Sequence, residues 1–451
     1  MNTMNRIGLF FFCMLIVGNC DAQAKKHVVL ISIDGLRPEM YLTPSPSPSG
    51  EGSWPTPNLQ LLMKQGVYAK HMKSVFPSYT YPSHVAMLTG ALPARSGICY
   101  NAPIGSKGDW NWFTKDIEVP TLWQVLKKLK MTSSAIEWPV SVGPEITYNI
   151  PEIWSKENPD DRITEVRKYA TKGLIEEIEA NATDKLDSSN MTEENFSLAA
   201  NSARMAAYIF KKYQPNLMAL HFAEVDGFEH GYGREGDSVR MAVAAVDKAI
   251  GEVMNAIEES GLKNTTTVLI VGDHGFSDIH EAIYPNTWLA NKGLKGYLFQ
   301  PAGGSAFLYH EKSMVNGQWS MVNDEDLMMD SVRGILNALP DSTKKLFRVI
   351  EKKELIKMGA DKNAVLALAA VPGIVFGGAS DKLTKAVSGG HHGYDPNLPE
   401  MYTGFIAAGA GINKVKVIDE LCVTDVAPLI AKLLGIEFNC PDGRLIKNIL
   451  K

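Results

Sequence analysis

The chain has 451 residues and a formal net charge of −5, with 45 Lys and Arg against 50 Asp and Glu. The basic residues form no stripe or cluster, which argues against a nucleic-acid polymer as partner. A hydrophobic content of 45% with 21% charged residues is that of a globular protein and excludes a disordered or fibrous chain.

The amino terminus has the features of a signal peptide. Arg6 supplies a positive charge, and Ile7 to Val17 is an apolar run that is too short to span a bilayer. Ala22-Gln-Ala24 then offers an A-x-A cleavage site. We therefore predict a signal peptide over residues 1–24, one domain over residues 25–451, and export to the periplasm or the extracellular medium.

Two further features bear on the compartment. Cys20 ends a stretch that loosely resembles a lipobox, but Asn19 fits that motif poorly, so simple export is preferred to a lipid anchor. No later run is long and apolar enough to predict a membrane span. Because exported proteins can keep disulfides, Cys422 and Cys440 are interpreted either as a bridge or as two buried thiols.

The rest of the chain alternates strand and helix patterns. Three continuous apolar runs predict buried strands, and an aspartate follows each run closely. These pairs are 27–33 with Asp34, 216–222 with Asp226, and 266–271 with Asp273. Since ligands of open α/β sheets gather at the carboxyl ends of the strands, we expect the three aspartates at one edge.

The predicted fold class is therefore α/β, with a large, mostly parallel central sheet flanked by helices. Residues 238–260 carry apolar side chains at helical spacing and predict a packing helix. The segment from about 279 to 385 is less regular, and we predict that it forms a smaller inserted lobe. Residues 404–409 and 425–434 then return a strand and a helix to the core.

Thr80 is predicted to lie at or next to the beginning of a helix. Pro82 follows two residues later, and the pattern of residues 84–89 predicts a helix that ends at Gly90. A threonine there is usually only a capping residue. The same position also suits a phosphate, because the N–H groups and dipole of a helix N-terminus attract anions. A hydroxyl on a metal ion at that place can lose its proton and act as a nucleophile.

Histidines and aspartates recur in three further motifs. Asp226 and His230 share one face if their segment is helical, and Asp273-His274 lies in a glycine-flanked turn. In the glycine-rich loop at 389–395, one of His391 and His392 is expected to be a metal ligand and the other a neighbour.

Three aspartates, three histidines and one hydroxyl form a set that Zn²⁺ accepts. His84, behind Thr80, is a candidate for supporting the ligands. Four other histidines are interpreted as structural or surface residues: His27, His71, His221 and His310.

Together these motifs resemble the nucleotide pyrophosphatase/phosphodiesterase family of the alkaline phosphatase superfamily. The resemblance covers roughly residues 27 to 436. It rests on these segments: Asp34-Gly, Phe76-Pro-Ser-Tyr-Thr80-Tyr-Pro-Ser-His84, Thr89-Gly90, Ser96-Gly-Ile-Cys-Tyr-Asn101, Glu137-Trp138-Pro139, Asp226-x-x-x-His230, Asp273-His274-Gly and His392-Gly-Tyr-Asp395.

The resemblance implies an alkaline-phosphatase-like fold and two Zn²⁺ ions per chain. One ion would be held by Asp226, His230 and His392. The other would be held by Asp34, Asp273, His274 and the oxygen of Thr80. The implied reaction is hydrolysis of a phosphodiester or pyrophosphate bond through a phospho-Thr80 ester, with the Asn101 amide donating to a phosphoryl oxygen.

The expected substrate is a small phosphodiester of nucleotide or phospholipid head-group type. Tyr81 and Trp138 are candidate walls for its second substituent, and Trp110 and Trp112 are further candidates. The family often has Asn where this chain has Ser83 and His where it has Ser96, which bears on substrate preference. These positions are not expected metal ligands.

Three other functions are alternatives to this hypothesis. A phosphomonoesterase with the same metal site would need a cationic clamp for the extra charge, and Arg37 and Arg95 are more simply structural. A sulfatase needs Cys or Ser as nucleophile precursor, where this chain has Thr80. A non-catalytic metal-binding protein would have lost a ligand or the nucleophile, and every position is filled.

Overall fold

A computed structural model describes residues 25–42, 54–106, 108–193, 195–310, 314–315, 318–319 and 325–451. The predicted signal peptide and Cys20 lie outside the described residues. No helix in the described part of the chain is long and apolar enough to cross a membrane. Cys422 and Cys440 are both free, half-buried thiols, so the structure contains no bridge between them.

The main sheet orders its described strands as β19-β2-β18-β6-β1-β5-β3-β4. Their bounds are β1 His27–Ile33, β2 Val67–Lys73, β3 Ser133–Ile136, β4 Tyr148–Ile150, β5 Leu217–Phe222, β6 Thr266–Gly272, β18 Phe405–Gly409 and β19 Lys416–Cys422. Only β18 runs antiparallel to its neighbours, β2 and β6. The prediction of a large, mostly parallel α/β sheet is confirmed.

Helices cover both faces of this sheet, and four further described helices between residues 285 and 358 pack within the segment that lies between β6 and β18. Their bounds are α1 Glu39–Leu42, α2 Pro57–Gln65, α3 Thr80–Thr89, α4 Pro93–Ser96, α5 Leu122–Lys128, α6 Thr164–Tyr169, α7 Leu174–Asn181, α8 Ser197–Tyr213, α9 Glu224–Tyr232, α10 Asp237–Glu259, α11 Pro285–Asn291, α12 Glu325–Asn337, α13 Asp341–Lys344, α14 Lys352–Met358 and α15 Val426–Leu434. The predicted packing helix at 238–260 corresponds to α10.

Two hydrophobic cores lie on opposite faces of the sheet because successive strand residues point to opposite sides. In β1, Val29 and Ile31 belong to the core beneath α8 and α10. Val28 and Leu30 belong to the core that contains residues of α3, α5 and α15. Buried on both faces, β1 reads in the sequence as one continuous apolar run.

The segment between β6 and β18 forms smaller sheets with a separate core. An antiparallel sheet orders its strands β13-β14-β10-β9, and a three-stranded sheet orders β15-β8-β16. The remaining strands form two short pairs, β7 with β17 and β11 with β12. Their bounds are β7 Ser277–Asp278, β8 Glu281–Ile283, β9 Tyr297–Ala302, β10 Ser305–His310, β11 Met314–Val315, β12 Gln318–Trp319, β13 Phe347–Glu351, β14 Leu366–Ala370, β15 Ile374–Phe376, β16 Thr384–Ala386 and β17 Gly390–His391. That residues 279–385 form one inserted lobe stays a prediction.

Candidate metal and phosphoryl site

Three aspartates meet at the carboxyl edge of the main sheet. β1 lies between β5 and β6 and is parallel to both, so the three strands end at the same level. Asp34 directly follows β1, Asp273 directly follows β6, and Asp226 is the third residue of α9, which begins two residues after β5. The turn after β6 requires a residue without a side chain at Gly275, since a Cβ there would lie 2.1 Å from the carbonyl oxygen of Glu400.

One group of possible metal ligands consists of Asp34, Asp273 and His274, whose ligand atoms all lie within 4.8 Å of one another. His274 Nε2 is 3.3 Å from Asp34 Oδ1 and 3.2 Å from Asp273 Oδ2. The hydroxyl of Thr80 lies 3.3 Å from the same Nε2 atom. The structure thus brings four of the sequence-predicted residues together around one point.

A second group lies beside the first. Asp226, His274 and His392 have their ligand atoms within 4.8 Å of one another. On α9, His230 Nε2 is 3.3 Å from Asp226 Oδ2, the i to i+4 arrangement that a helix gives. His392 Nε2 is 3.6 Å from Asp226 Oδ1, so all three residues expected to hold the other ion converge.

The imidazoles are oriented by backbone carbonyl groups. The Nδ1 atoms of His274, His230 and His392 lie 3.2, 3.1 and 2.8 Å from the carbonyl oxygens of Gly275, Gly390 and Ser78. A carbonyl can only accept, so Nδ1 carries the proton and each Nε2 presents its lone pair to the cluster. Burial lowers the pKa of all three rings, to about 4 for His274. They are therefore neutral at pH 7, the form that binds a metal ion.

The carboxylates at this site lack compensating charge. Asp34 Oδ1, Asp226 Oδ1 and Asp273 Oδ2 are buried and accept no hydrogen bond from any described residue. Burial raises the pKa of Asp34, and the neighbouring Asp273 and Asp226 raise it further. Burial likewise raises the pKa of Asp226, with added contributions from Glu193 and Asp273. Unsatisfied carboxylate oxygens beside imidazole lone pairs fit divalent cations. Such ions would neutralise the carboxylate charge and accept the lone pairs of the imidazole nitrogens.

Thr80 and Asn101 lie at the amino terminus of α3. Thr80 is the first residue of the helix and follows the N-cap residue Tyr79, which is extended and whose side chain makes no capping hydrogen bond. The Asn101 Oδ1 atom accepts a hydrogen bond from the backbone N–H of Tyr81 at 3.0 Å. This contact fixes the amide and leaves its NH₂ group as the donor. A hydroxyl, an amide donor and a helix N-terminus therefore face the same place.

The structure corrects the expectation for Tyr81 and Trp138 as substrate walls. Both side chains are completely buried. The Trp138 ring packs edge-on against His84 with centroids 4.8 Å apart, and Tyr81 donates its hydroxyl proton to Glu152 at 3.0 Å. Neither ring has an exposed face on which a substituent could stack. Trp110 packs against Tyr81 with ring centroids 5.2 Å apart. It is half-buried, so part of its indole ring remains accessible to a substrate.

One histidine at the site differs from its sequence interpretation, and two others lie beside the ligand candidates as expected. His221, interpreted as structural or surface, is buried with Nε2 3.2 Å from Asp34 Oδ2 and Nδ1 3.0 Å from the carbonyl oxygen of Glu137. Its place near the end of an apolar strand that leads to the site was the available signal. His391 groups with His230 and His392. His84, a predicted supporting residue, lies with Nδ1 2.8 Å from the Thr80 carbonyl oxygen.

A strand-edge cluster of carboxylates and imidazoles around a helix-terminal hydroxyl defines a class of site that suits divalent cations and a phosphoryl group. The family model of type I phosphodiesterase / nucleotide pyrophosphatase matches residues 28–395. The chain belongs to this family, whose alkaline-phosphatase-like fold it shares.

Two curated relatives and one solved structure illustrate the similarity. Ectonucleotide pyrophosphatase/phosphodiesterase family member 5 of Homo sapiens is 22% identical over 91% of this chain and 75% of that protein. Bis(5'-adenosyl)-triphosphatase of Mus musculus is 22% identical over 95% of this chain and 82% of that protein. An inactive threonine-to-alanine variant of murine ectonucleotide pyrophosphatase/phosphodiesterase 5, in complex with AMP, aligns with a TM-score of 0.67 and 20% identity over 93% of this chain and 97% of that one.

Proposed function

We propose that this protein is an exported, zinc-dependent phosphodiesterase and nucleotide pyrophosphatase that acts through a phospho-Thr80 intermediate. The observation that carries the proposal is the convergence of unsatisfied carboxylate oxygens and imidazole lone pairs beside the Thr80 hydroxyl. Membership of the family supports the reaction class, and the geometry of the site supports the assignment of the residues.

Two Zn²⁺ ions are assigned to the two groups of ligands. Asp34, Asp273, His274 and the Thr80 oxygen would hold one. Asp226, His230 and His392 would hold the other. When bound, the ions would supply Lewis-acid stabilisation of the charge on the phosphoryl group and on its leaving oxygen.

Thr80 is the proposed nucleophile. A bond forms between its Oγ1 atom and phosphorus while the bond to the leaving oxygen breaks, which gives a phosphothreonine ester. The hydroxyl proton of Thr80 is lost to solvent, and the leaving oxygen departs with the bonding electron pair and takes up a proton from solvent. Attack by water on that ester then releases the phosphate product and restores the hydroxyl. During both steps, the Asn101 NH₂ group and the amino terminus of α3 stabilise negative charge on the non-bridging oxygens.

The surroundings of two arginines favour a diester over a monoester. Arg37 is buried, and its Nε atom donates to Glu229 at 2.8 Å. Arg95 is exposed and donates to Asp442 at 3.0 Å. Both guanidinium groups, the candidates nearest the motifs in sequence, are therefore bound elsewhere, and a dianionic monoester would lack their support. A phosphomonoesterase with the same metal site is the alternative.

Names of the relatives support a nucleotide substrate and an exported location. One relative is a bis(5'-adenosyl)-triphosphatase, and a structural neighbour holds AMP. Another relative is an ectonucleotide enzyme, which agrees with the predicted signal peptide and with a periplasmic or secreted protein. The proposed substrate is accordingly a small phosphodiester of nucleotide type, and the phospholipid head-group type is the second option.

Rates on three chromogenic esters test the proposal. They are bis(p-nitrophenyl) phosphate, p-nitrophenyl phosphate and a nucleotide p-nitrophenyl ester. We expect kcat/KM for the diesters to exceed that for the monoester by about tenfold or more, a gap of roughly 1.4 kcal/mol in transition-state binding. A preference for the monoester would assign the chain to the phosphatase alternative. Zinc binding without turnover of any ester would support a non-catalytic metal-binding protein.

A further inference from the structure

Arg37 connects the two halves of the candidate metal site. It lies three residues after Asp34, and its side chain is 1% exposed. Its Nε atom donates to Glu229 Oε1 at 2.8 Å, and an Nη2 proton goes to the carbonyl oxygen of Arg234 at 2.6 Å. Glu229 belongs to α9, and Arg234 lies just beyond the end of that helix. One guanidinium group therefore contacts both α9 and the segment that follows α9. It also contacts Glu39, and Glu235 at 3.5 Å.

Glu229 lies on α9 between the ligand candidates Asp226 and His230, and it is completely buried. Its second oxygen, Oε2, has no hydrogen-bond partner in the described part of the chain. This oxygen lies against the turn after β1, since a Cβ at position 35 would be 2.5 Å from it. Gly35, with φ +71°, is thus the residue that allows the carboxylate to reach Arg37 beside Asp34.

A buried ion pair is a costly way to join a turn and a helix, because apolar side chains of similar volume are often at least as stabilising. The ion pair instead orients the helix relative to the turn. Two hydrogen bonds from a planar guanidinium group fix how far α9 lies from the turn and how the helix is rotated about its axis. A shift of the turn would displace Asp34, and a shift of the helix would displace Asp226 and His230.

We propose that Arg37 and Glu229 are positioning residues that set the spacing between the Asp34 side and the Asp226–His230 side of the metal site. The inference rests on the cation assignment made under the proposed function. It predicts that breaking the pair weakens zinc binding even when the fold is restored.

The test uses the full chain after removal of metal by a chelator. Zn²⁺ affinity is measured by competition with a chromophoric chelator, and the thermal unfolding midpoint is measured on the same metal-free protein. The variants are Arg37→Met, the double variant Arg37→Met/Glu229→Met, and the conservative Arg37→Lys. Arg167→Met/Glu179→Met is the matched control. Arg167 of α6 likewise donates to a carboxylate, at 3.1 Å to Glu179 of α7, and to a carbonyl oxygen, at 3.0 Å to Leu186. This pair is partly exposed and lies in a segment that carries no site residue.

Arg37→Met should lower the unfolding midpoint, because the Glu229 carboxylate is left buried without its partner. The double variant should recover the midpoint yet bind Zn²⁺ about tenfold to a hundredfold more weakly than wild type, the range expected for loss of a ligand-supporting contact. Arg37→Lys, which cannot make both contacts, should show the same loss of affinity. The control should bind Zn²⁺ like wild type.

Wild-type affinity in the double variant or in Arg37→Lys would overturn the inference and make the pair purely structural. If the double variant fails to fold, Arg37→Lys decides the matter, provided that its far-ultraviolet circular dichroism is unchanged. A wild-type protein that binds no zinc would instead overturn the proposed function, so the two failures are distinguishable.

Discussion

The rings of His274 and His392 stack with centroids 3.7 Å apart and an interplanar angle of 8°. These residues come from motifs that are far apart in the sequence. Burial lowers the pKa of both rings, so they stack as neutral imidazoles without mutual charge repulsion. His274 is a proposed ligand of one zinc ion and His392 of the other, so the two stacked rings lie side by side between the proposed zinc positions.

Metal removal is the first prediction. Prolonged chelation should abolish diester hydrolysis, and Zn²⁺ should restore it, because the proposed reaction needs the Lewis-acid charge of the ions. Without metal, the three buried aspartates also repel one another. Each zinc ion should also stabilise the fold by about 2.7 kcal/mol at a concentration of 100 times its Kd. Metal analysis of the purified protein together with calorimetry checks both effects. Full activity with well under one equivalent of transition metal would contradict the prediction.

The second prediction separates Trp138 from Trp110. Trp138→Ala should lower the free energy of unfolding by about 3–5 kcal/mol, as for other buried aromatic residues, without changing substrate preference. Trp110→Ala should lower kcat/KM for a nucleotide ester by roughly two- to tenfold, since an aromatic contact contributes about 0.5–1.5 kcal/mol.

Methyl p-nitrophenyl phosphate, which has no base, serves as the control substrate for both variants. A selective loss of the nucleotide ester in Trp138→Ala, with none in Trp110→Ala, would reverse these assignments.

The third prediction concerns the pH dependence of stability. Burial raises the pKa of Glu152 from 4.5 to about 8, and the hydrogen bond from Tyr81 opposes this shift only in part. Between these values the folded protein binds more protons than the unfolded chain, so this group lowers the free energy of unfolding as pH rises from 4.5 to 8. The effect amounts to about 1.4 kcal/mol for each pKa unit.

Glu152→Gln should therefore unfold at higher denaturant concentration than wild type at pH 8. The difference should vanish below pH 4.5, where Glu152 is protonated in both states. Denaturant titrations across this range at equal zinc content measure it. A constant difference at all pH values would show that the variant acts through packing alone.

Much of the fold follows from patterns within short segments. β1, β5 and β6 are continuous apolar runs, and a residue that ends such a run must lie at the sheet edge, so the aspartates could be placed from the sequence. The helical spacing of Asp226 and His230 and the helix beginning at Thr80 were also readable, because both depend on neighbouring residues.

Other features depend on contacts between distant segments, and local patterns do not contain them. Trp138 is buried by its packing against His84, which the sequence cannot reveal. His221 reaches Asp34 only because β5 pairs with β1 in the observed register, where His221 lies beside Ser32. Arg37 was interpreted as structural, and its partner Glu229 could not be identified from the sequence because the two residues are 192 positions apart.

The most direct test of the account is the activity of Thr80 variants. Thr80 is the first helical residue and not the N-cap, and its buried hydroxyl contacts His274 Nε2, so Thr80→Ala should keep the fold at a cost of about 1 kcal/mol. Thr80→Ser keeps the oxygen and should retain measurable turnover. The decisive measurement is kcat/KM of zinc-loaded Thr80→Ala on bis(p-nitrophenyl) phosphate. We expect a value below about 1% of wild type, because the proposed nucleophilic oxygen is gone. A value close to wild type, with both zinc ions bound, would contradict the covalent mechanism.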